Sequence, residues 1–282
     1  MARLIDTMHL GHDRVIGAWE LAPGVIVDPG PASCVETLLA ELKAEPRVLL
    51  LTHIHLDHAG ASGVLARRFP GLQIHVHEAG APHLIDPERL IESAGRLYGD
   101  DMERLWGEIA PVPADRVHAL AGGEEVEGLR VVYAPGHARH HVVYVSEATG
   151  DAFVGDVAGV RVPPSQLTIA PTPPPEIDVE AWLESLNRLR AARPRRLCLT
   201  HFGAADDPED QIARAEAWLR AAARRSEPGD REAFAAWLEE TIGAEPADVA
   251  LRLRQAMPPE QQWMGMERYW RKRGELATLR RR

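Results

Sequence analysis

Cysteine is almost missing: Cys34 and Cys198 are the only two in 282 residues. That excludes a disulfide framework. Cys198, inside Leu197-Cys198-Leu199, reads as a small buried hydrophobe. No stretch approaches about 18 uninterrupted apolar residues, so no membrane-spanning helix and no membrane partner are expected. The start, Met1-Ala2-Arg3-Leu4-Ile5-Asp6, lacks the apolar core of a secretion signal, and a cytoplasmic location is the expectation. Positive charge is short as well. The net charge of −10 argues against a nucleic-acid partner. Lysine occurs only at Lys43 and Lys272, which reads as genome composition. There is no G-x-S-x-G elbow, no Walker loop and no internal repeat, so no rival mechanism announces itself.

What is present is a dense polar knot, Thr52-His53-Ile54-His55-Leu56-Asp57-His58-Ala59-Gly60. The apolar run Arg47-Val48-Leu49-Leu50-Leu51 before it reads as a buried strand, and residues 61–69 after it as a helix. The knot therefore sits on the loop leaving the C-terminal end of a strand, where open α/β sheets place their sites. Imidazole nitrogen and carboxylate oxygen are ligands for zinc and similar divalent ions. The spacing H-x-H-x-D-H lets His53 and His55 face one metal, and Asp57 and His58 a second. Further donors, His137, Asp156 and His201, each follow a short apolar run: Val131-Val132-Tyr133, Ala152-Phe153-Val154 and Leu197-Cys198-Leu199. Each reads as a strand end delivering its ligand to the same sheet edge.

The ordered set His53, His55, Asp57, His58, His137, Asp156 and His201 resembles that of the metallo-β-lactamase superfamily, most closely its glyoxalase II-like branch, over roughly residues 1–205. The resemblance implies an α/β chain with the four-layer αβ/βα metallo-β-lactamase fold and a C-terminal helical extension. It implies that His53, His55 and His137 hold one metal and Asp57, His58 and His201 a second, with Asp156 bridging. The cofactors expected are two divalent metal ions, Zn2+ first, with Fe or Mn as alternatives. Bound water on such a metal has its pKa lowered to about 7. A bridging hydroxide, oriented by Asp57 as the catalytic proton carrier, would attack a small ester-type substrate: a thioester, lactone or phosphoester. Two alternatives stay open, a mononuclear iron persulfide dioxygenase-like oxidoreductase and a phosphodiesterase or nuclease of the same superfamily.

Along the chain, residues 3–28 read as strands around a Pro23-Gly24 turn. His9 and His12 lie in the preceding loop, either exposed or at the mouth of the site. Asp28 is a turn residue or, as the resemblance suggests, a support for the ligand loop. Residues 33–43 have the apolar stripe of a helix. Residues 73–77 alternate as a half-buried strand whose His75 and His77 share a face outside the ligand set. Residues 79–113 look like a helical insertion. Asp86-Pro87-Glu88 starts one helix, with Asp86 as its cap, and a second carries Met102, Leu105, Trp106 and Ile109. Tyr98, Met102 and Trp106 are the candidate substrate contacts of a lid, unless the insertion is only a packed excursion. The resembling family has G-H-x-x-G-H where this chain has Gly136-His137-Ala138-Arg139-His140-His141. His141 thus matches its second histidine and His140 replaces a glycine. Six prolines in residues 163–175 make a stiff extended wall. Asp178 caps the next helix.

The expected domains are a catalytic unit over 1–205 and a helical subdomain over 206–282, with helices at 209–225, 231–242, 246–257 and 260–273. Trp263, Met266 and Trp270 share a face of the last, as core or as the contact of a homodimer. Residues 271–282 read as a solvated basic end.

Overall fold

The computed structural model describes residues 2–279. Two six-stranded sheets carry the fold, each built in sequence order. The first is β1 (Arg3–Asp6), β2 (Gly17–Ala22), β3 (Val25–Val27), β4 (Val48–Leu50), β5 (Gln73–His77) and β6 (Val117–Leu120). Its first three strands are antiparallel, and β3 to β6 run parallel. The second is β7 (Glu125–Val126), β8 (Leu129–Tyr133), β9 (Val142–Val145), β10 (Asp151–Gly155), β11 (Arg196–Leu199) and β12 (Gly203–Ala205). Only β10 and β11 are parallel there.

The period-2 alternation of strand side chains explains the layering. Val25, Val27, Val48 and Leu50 point from the first sheet into a core shared with Val131, Val142, Tyr144, Phe153 and Cys198 of the second. The alternate residues Ile26, Leu49, Leu51, Ile74 and Val76 point the other way, against α1 (Val35–Glu41) and α3 (Ser62–Arg68). On the far face of the second sheet, Val143, Val145, Val154, Leu197 and Leu199 pack on Trp182, Leu186 and Leu189 of α7 (Val179–Ala191). Strands apolar on both faces and helices apolar on one give the four layers. Asp178 caps α7 as expected, accepting from the Ala181 N–H at 3.0 Å.

The ligand loop is more helical than its sequence suggests, since Asp57 and His58 lie in the short α2 (Leu56–Ala59). The insertion holds three helices, α4 (Ala81–Ile85), α5 (Glu88–Tyr98) and α6 (Met102–Trp106). α4 was not anticipated. Asp86 does not cap α5. Pro87 stands at that position, and the Asp86 carboxylate accepts the Glu88 N–H at 3.3 Å. Ile109 lies beyond α6, which stops where Gly107 turns to φ +69°.

The last four helices are α8 (Pro208–Ser226), α9 (Arg231–Gly243), α10 (Ala247–Ala256) and α11 (Pro259–Leu279). They share one continuous core with α7 and the second sheet, through Ile212, Leu219, Phe234, Leu238, Leu253, Trp263 and Met266. The stripe on α11 therefore packs within the chain as core. Trp263 and Met266 are buried within the chain, and the Trp270 indole donates to Ser226 Oγ at 3.0 Å. Of the basic end, residues 280–282 lie outside the described residues.

Candidate metal centre

Four strand ends converge at one edge. β8 and β10 are both antiparallel to β9, and β11 is parallel to β10, so all three run the same way. Their C-terminal ends release His137, Asp156 and His201 side by side. β4 in the facing sheet releases His53 and His55, and α2 then turns Asp57 and His58 back towards them. The Val142 N–H donates to the Thr52 carbonyl at 2.8 Å and ties the two sheets together at this edge. Gly155, at φ +47°, lets β10 end hard against the ligand loop; a Cβ there would lie 2.5 Å from Thr52 Oγ1.

The seven residues fall into two groups. His53, His55, His137 and Asp156 form one, and Asp57, His58 and His201 the other; within each, the donor atoms lie within 4.8 Å of one another. In the first, His55 Nδ1 is 3.0 Å from His53 Nε2 and 2.9 Å from His137 Nε2. Asp156 Oδ2 is 3.2 Å from His137 Nε2. In the second, Asp57 Oδ2 is 3.2 Å from His201 Nε2. Asp156 Oδ1 reaches across to it, 3.3 Å from His58 Nε2 and 3.6 Å from His201 Nε2.

The opposite ring nitrogens settle which atoms face inward. His137 Nδ1 donates to the Pro171 carbonyl at 2.9 Å, and His201 Nδ1 to the Val15 carbonyl at 2.6 Å. A carbonyl only accepts, so both protons sit on Nδ1 and the Nε2 lone pairs point at the centre. His58 Nδ1 is held by Asp28 Oδ2 at 2.8 Å and His53 Nδ1 lies 3.0 Å from Thr52 Oγ1. His58 Nε2, His201 Nε2 and Asp156 Oδ1 are buried without a hydrogen-bond partner among the described residues. Such orphans call for an ion, and a set of imidazoles and carboxylates suits divalent cations.

Charge balance points the same way. Burial and the neighbouring imidazoles push His53 well below the usual histidine range, and burial and His137 bring His55 down to about 3. Burial also opposes charge on His58, yet Asp156, Asp57 and Asp28 together hold it well above the usual range. Burial likewise works against ionised Asp156, but His58 and His137 keep its carboxyl well below the usual range.

Asp28 supports this arrangement and is no mere turn residue, although its φ of 50° also bends the chain. Its wholly buried carboxylate accepts from the Thr52 N–H (2.8 Å), Thr52 Oγ1 (2.7 Å), His58 Nδ1 (2.8 Å) and Thr200 Oγ1 (3.1 Å). His141 is buried beside His53, and its Nε2 accepts the Asp156 N–H at 3.2 Å. His75 stacks on His118 and His77 on Tyr133, apart from the centre.

A cavity of about 550 Å³ opens over His55, Asp57 and Asp156. One wall is the insertion, with Leu90, Leu97, Tyr98 and Trp106; a second is Pro171 and Pro173 to Pro175; a third comes from Met257, Gln261 and Gln262. Of the three candidate substrate contacts, Tyr98 and Trp106 line it. Met102 does not; it packs on the small core of Val15, Ile16, Leu56, Ala94 and Trp106. The α10–α11 contribution went unanticipated, although the Thr172 N–H donates to Gln262 Oε1 at 2.6 Å and Tyr98 Oη donates to Gln261 Oε1 at 3.3 Å. Neither a cap nor a periodicity marks those glutamines as wall residues. His9, which the sequence allows either exposed or at the mouth of the site, is buried and lines the cavity.

Residues 22–201 match the family model described as the metallo-beta-lactamase superfamily. The chain belongs to that superfamily. It is similar to the metallo-beta-lactamase fold-containing protein of Sulfurisphaera tokodaii, 31% identical over 163 residues, covering 55% of this chain and 60% of that one. It is also similar to a hydroxyacylglutathione hydrolase of Synechococcus sp., 33% identical over 137 residues, covering 49% and 44%. The chain thus spans about half the length of the curated relatives it matches. Among solved structures, an archaeal superfamily protein from Sulfolobus tokodaii has a TM-score of 0.68 at 23% identity, covering 94% of this chain and 97% of that one. A family protein from Thermus thermophilus has 0.64 at 24%, covering 97% and 94%. These likenesses establish the fold.

Proposed function

We propose that the protein is a binuclear metal-dependent hydrolase of small ester-type substrates, namely thioesters, lactones or phosphoesters. The observation that carries this is Asp156, whose two carboxylate oxygens face the two separate donor groups. Two divalent ions held there, zinc being the first candidate, would supply a water nucleophile at neutral pH and polarise the substrate oxygen. The rest falls to the chain. Asp57 lines the cavity, and its Oδ1 has no partner among the described residues, while Oδ2 faces His201. It can orient a water molecule and accept its proton. Leu90, Leu97, Trp106 and the prolines offer an apolar acyl group a dry wall. At the mouth Arg104, Arg139 and Arg254 are paired with Asp101, Glu176 and Glu239. Arg89 is exposed and has no partner among the described residues, which suits a weakly anionic substrate.

A single-iron oxygenase would need one donor group and would leave the orphaned atoms of His58 and His201 without a purpose. The hydrolase is tested with a panel of thioester, lactone, phosphodiester and phosphotriester substrates before and after chelation. Turnover of one class, lost on chelation and restored by zinc, is expected. Turnover that survives full metal removal would refute it.

A further inference from the structure

His9 is the most unusual side chain outside the seven donors. It is only 2% exposed, yet it lines the cavity. Its ring lies on the buried Trp106 indole, with centroids 5.6 Å apart and planes 13° from parallel. Nδ1 is 3.6 Å from Cys34 Sγ. Nε2 has no partner among the described residues. That nitrogen is not one of the buried unpartnered atoms, so it opens to the cavity, where a ligand can reach it.

The backbone around it is bent at a cost. Met8 (φ 54°) and Leu10 (φ 53°) flank His9 in the left-handed region, as does Arg14 (φ 58°) nearby. For residues with a side chain such positions are strained. Strain of this kind persists only where the surroundings enforce it, and it gathers at functional sites. Here Asp6 enforces it, accepting the Met8 N–H at 3.1 Å and the Arg14 N–H at 2.7 Å. Arg14 in turn donates to the Pro163 carbonyl at 2.6 Å. The loop is clamped at both ends, and what it delivers is His9.

We propose, resting on the hydrolase reading, that His9 is a substrate-contacting residue. Its imidazole donates an Nε2 hydrogen bond to the acyl substrate in the cavity that opens over Asp57. The partner on Nδ1 allows that tautomer: burial keeps the Cys34 thiol protonated, and where its S–H donates to Nδ1 the imidazole proton is on Nε2. Burial also brings His9 down to about 4, so the ring is neutral at pH 7, with Asp57 and His201 among the charges it feels. Trp106 acts through His9 as a positioning residue, holding the ring plane.

The test compares His9→Phe, which keeps the stack on Trp106 and loses the donor, with His9→Gln, which keeps a donor. Each is read at equal metal content, for kcat/KM on the ester panel and for hexanoate affinity by calorimetry on both the metal-loaded and metal-free protein. His9→Phe should lose on the order of tenfold to a hundredfold in kcat/KM and about tenfold in hexanoate affinity. His9→Gln should recover part of both. A folded His9→Phe with wild-type values overturns the contact. If the Phe variant does not fold, a Gln variant no better than His9→Ala overturns it. A wild type that hydrolyses nothing, but binds hexanoate tenfold more tightly than His9→Phe, would sink the hydrolase reading and leave the contact standing. If it neither hydrolyses nor discriminates, both fall.

Discussion

Replacing Asp28 by Asn probes the support beneath the metal centre with one atom. Asn tolerates the left-handed φ of 50° found there, so the backbone need not move. The side chain has two ways to sit, and both fail. If the amide nitrogen takes the place of Oδ2, it meets Thr52 Oγ1, His58 Nδ1 and Thr200 Oγ1. The hydroxyls can rotate, but the imidazole must move its proton from Nδ1 to Nε2, the atom that faces Asp156. If the nitrogen takes the place of Oδ1, it confronts the Thr52 N–H across 2.8 Å, donor against donor. A buried donor left unpaired, or a charged bond lost, costs about 1–3 kcal/mol. One kcal/mol shifts Tm by roughly 2–4 °C in a domain of 150–250 residues, so a drop of roughly 2–12 °C is expected. Losing the partner of a ligating histidine weakens metal binding by about 10–100-fold. Scanning calorimetry of the metal-free protein measures the first effect and competition with a chromogenic chelator the second. Wild-type values in both would refute the assigned role of Asp28.

Trp106→Ala should destabilise by about 3–5 kcal/mol, because the indole is 6% exposed within its own small core. Trp106→Phe is therefore the specificity probe; it should reorder the ester panel at unchanged metal content, and an unchanged order would mean the insertion does not select substrate. A chain ending at residue 205 should be insoluble or unfolded, since the sheet and α7 would lose the cover of Ile212, Leu219, Trp263 and Met266; a soluble, folded fragment on gel filtration would contradict the shared core. Arg89→Glu should raise KM several-fold for anionic esters while sparing neutral ones, and equal effects on both would remove charge selection at the mouth.

The seven donors were legible because each follows an apolar run that reads as a strand, and because their order resembles that of the superfamily's ligand set. The last four helices were visible for a similar reason: Pro228-Gly229, Gly243 and Pro258-Pro259 punctuate them. Periodicity told which face of α11 is apolar but not what covers it, so core and dimer contact looked alike. α4 is one turn and a half long, too short for any period to register. Met102 and Trp106 share a helix, an apolar character and one small core, and only the packing gives Trp106 an edge on the cavity that Met102 lacks. His9 depends on left-handed backbone at Met8 and Leu10, residue types that carry no such signal. Asp28 meets Thr200 across 172 positions, a link that no local pattern holds.

Metal stoichiometry decides the central claim. Elemental analysis of protein purified without chelator should find two divalent ions per chain, zinc foremost. His53→Ala and Asp57→Ala variants should each retain close to one, because each substitution removes a donor from a different group. One iron per chain with no second metal, unchanged by Asp57→Ala, would contradict a binuclear hydrolase and favour oxygen chemistry.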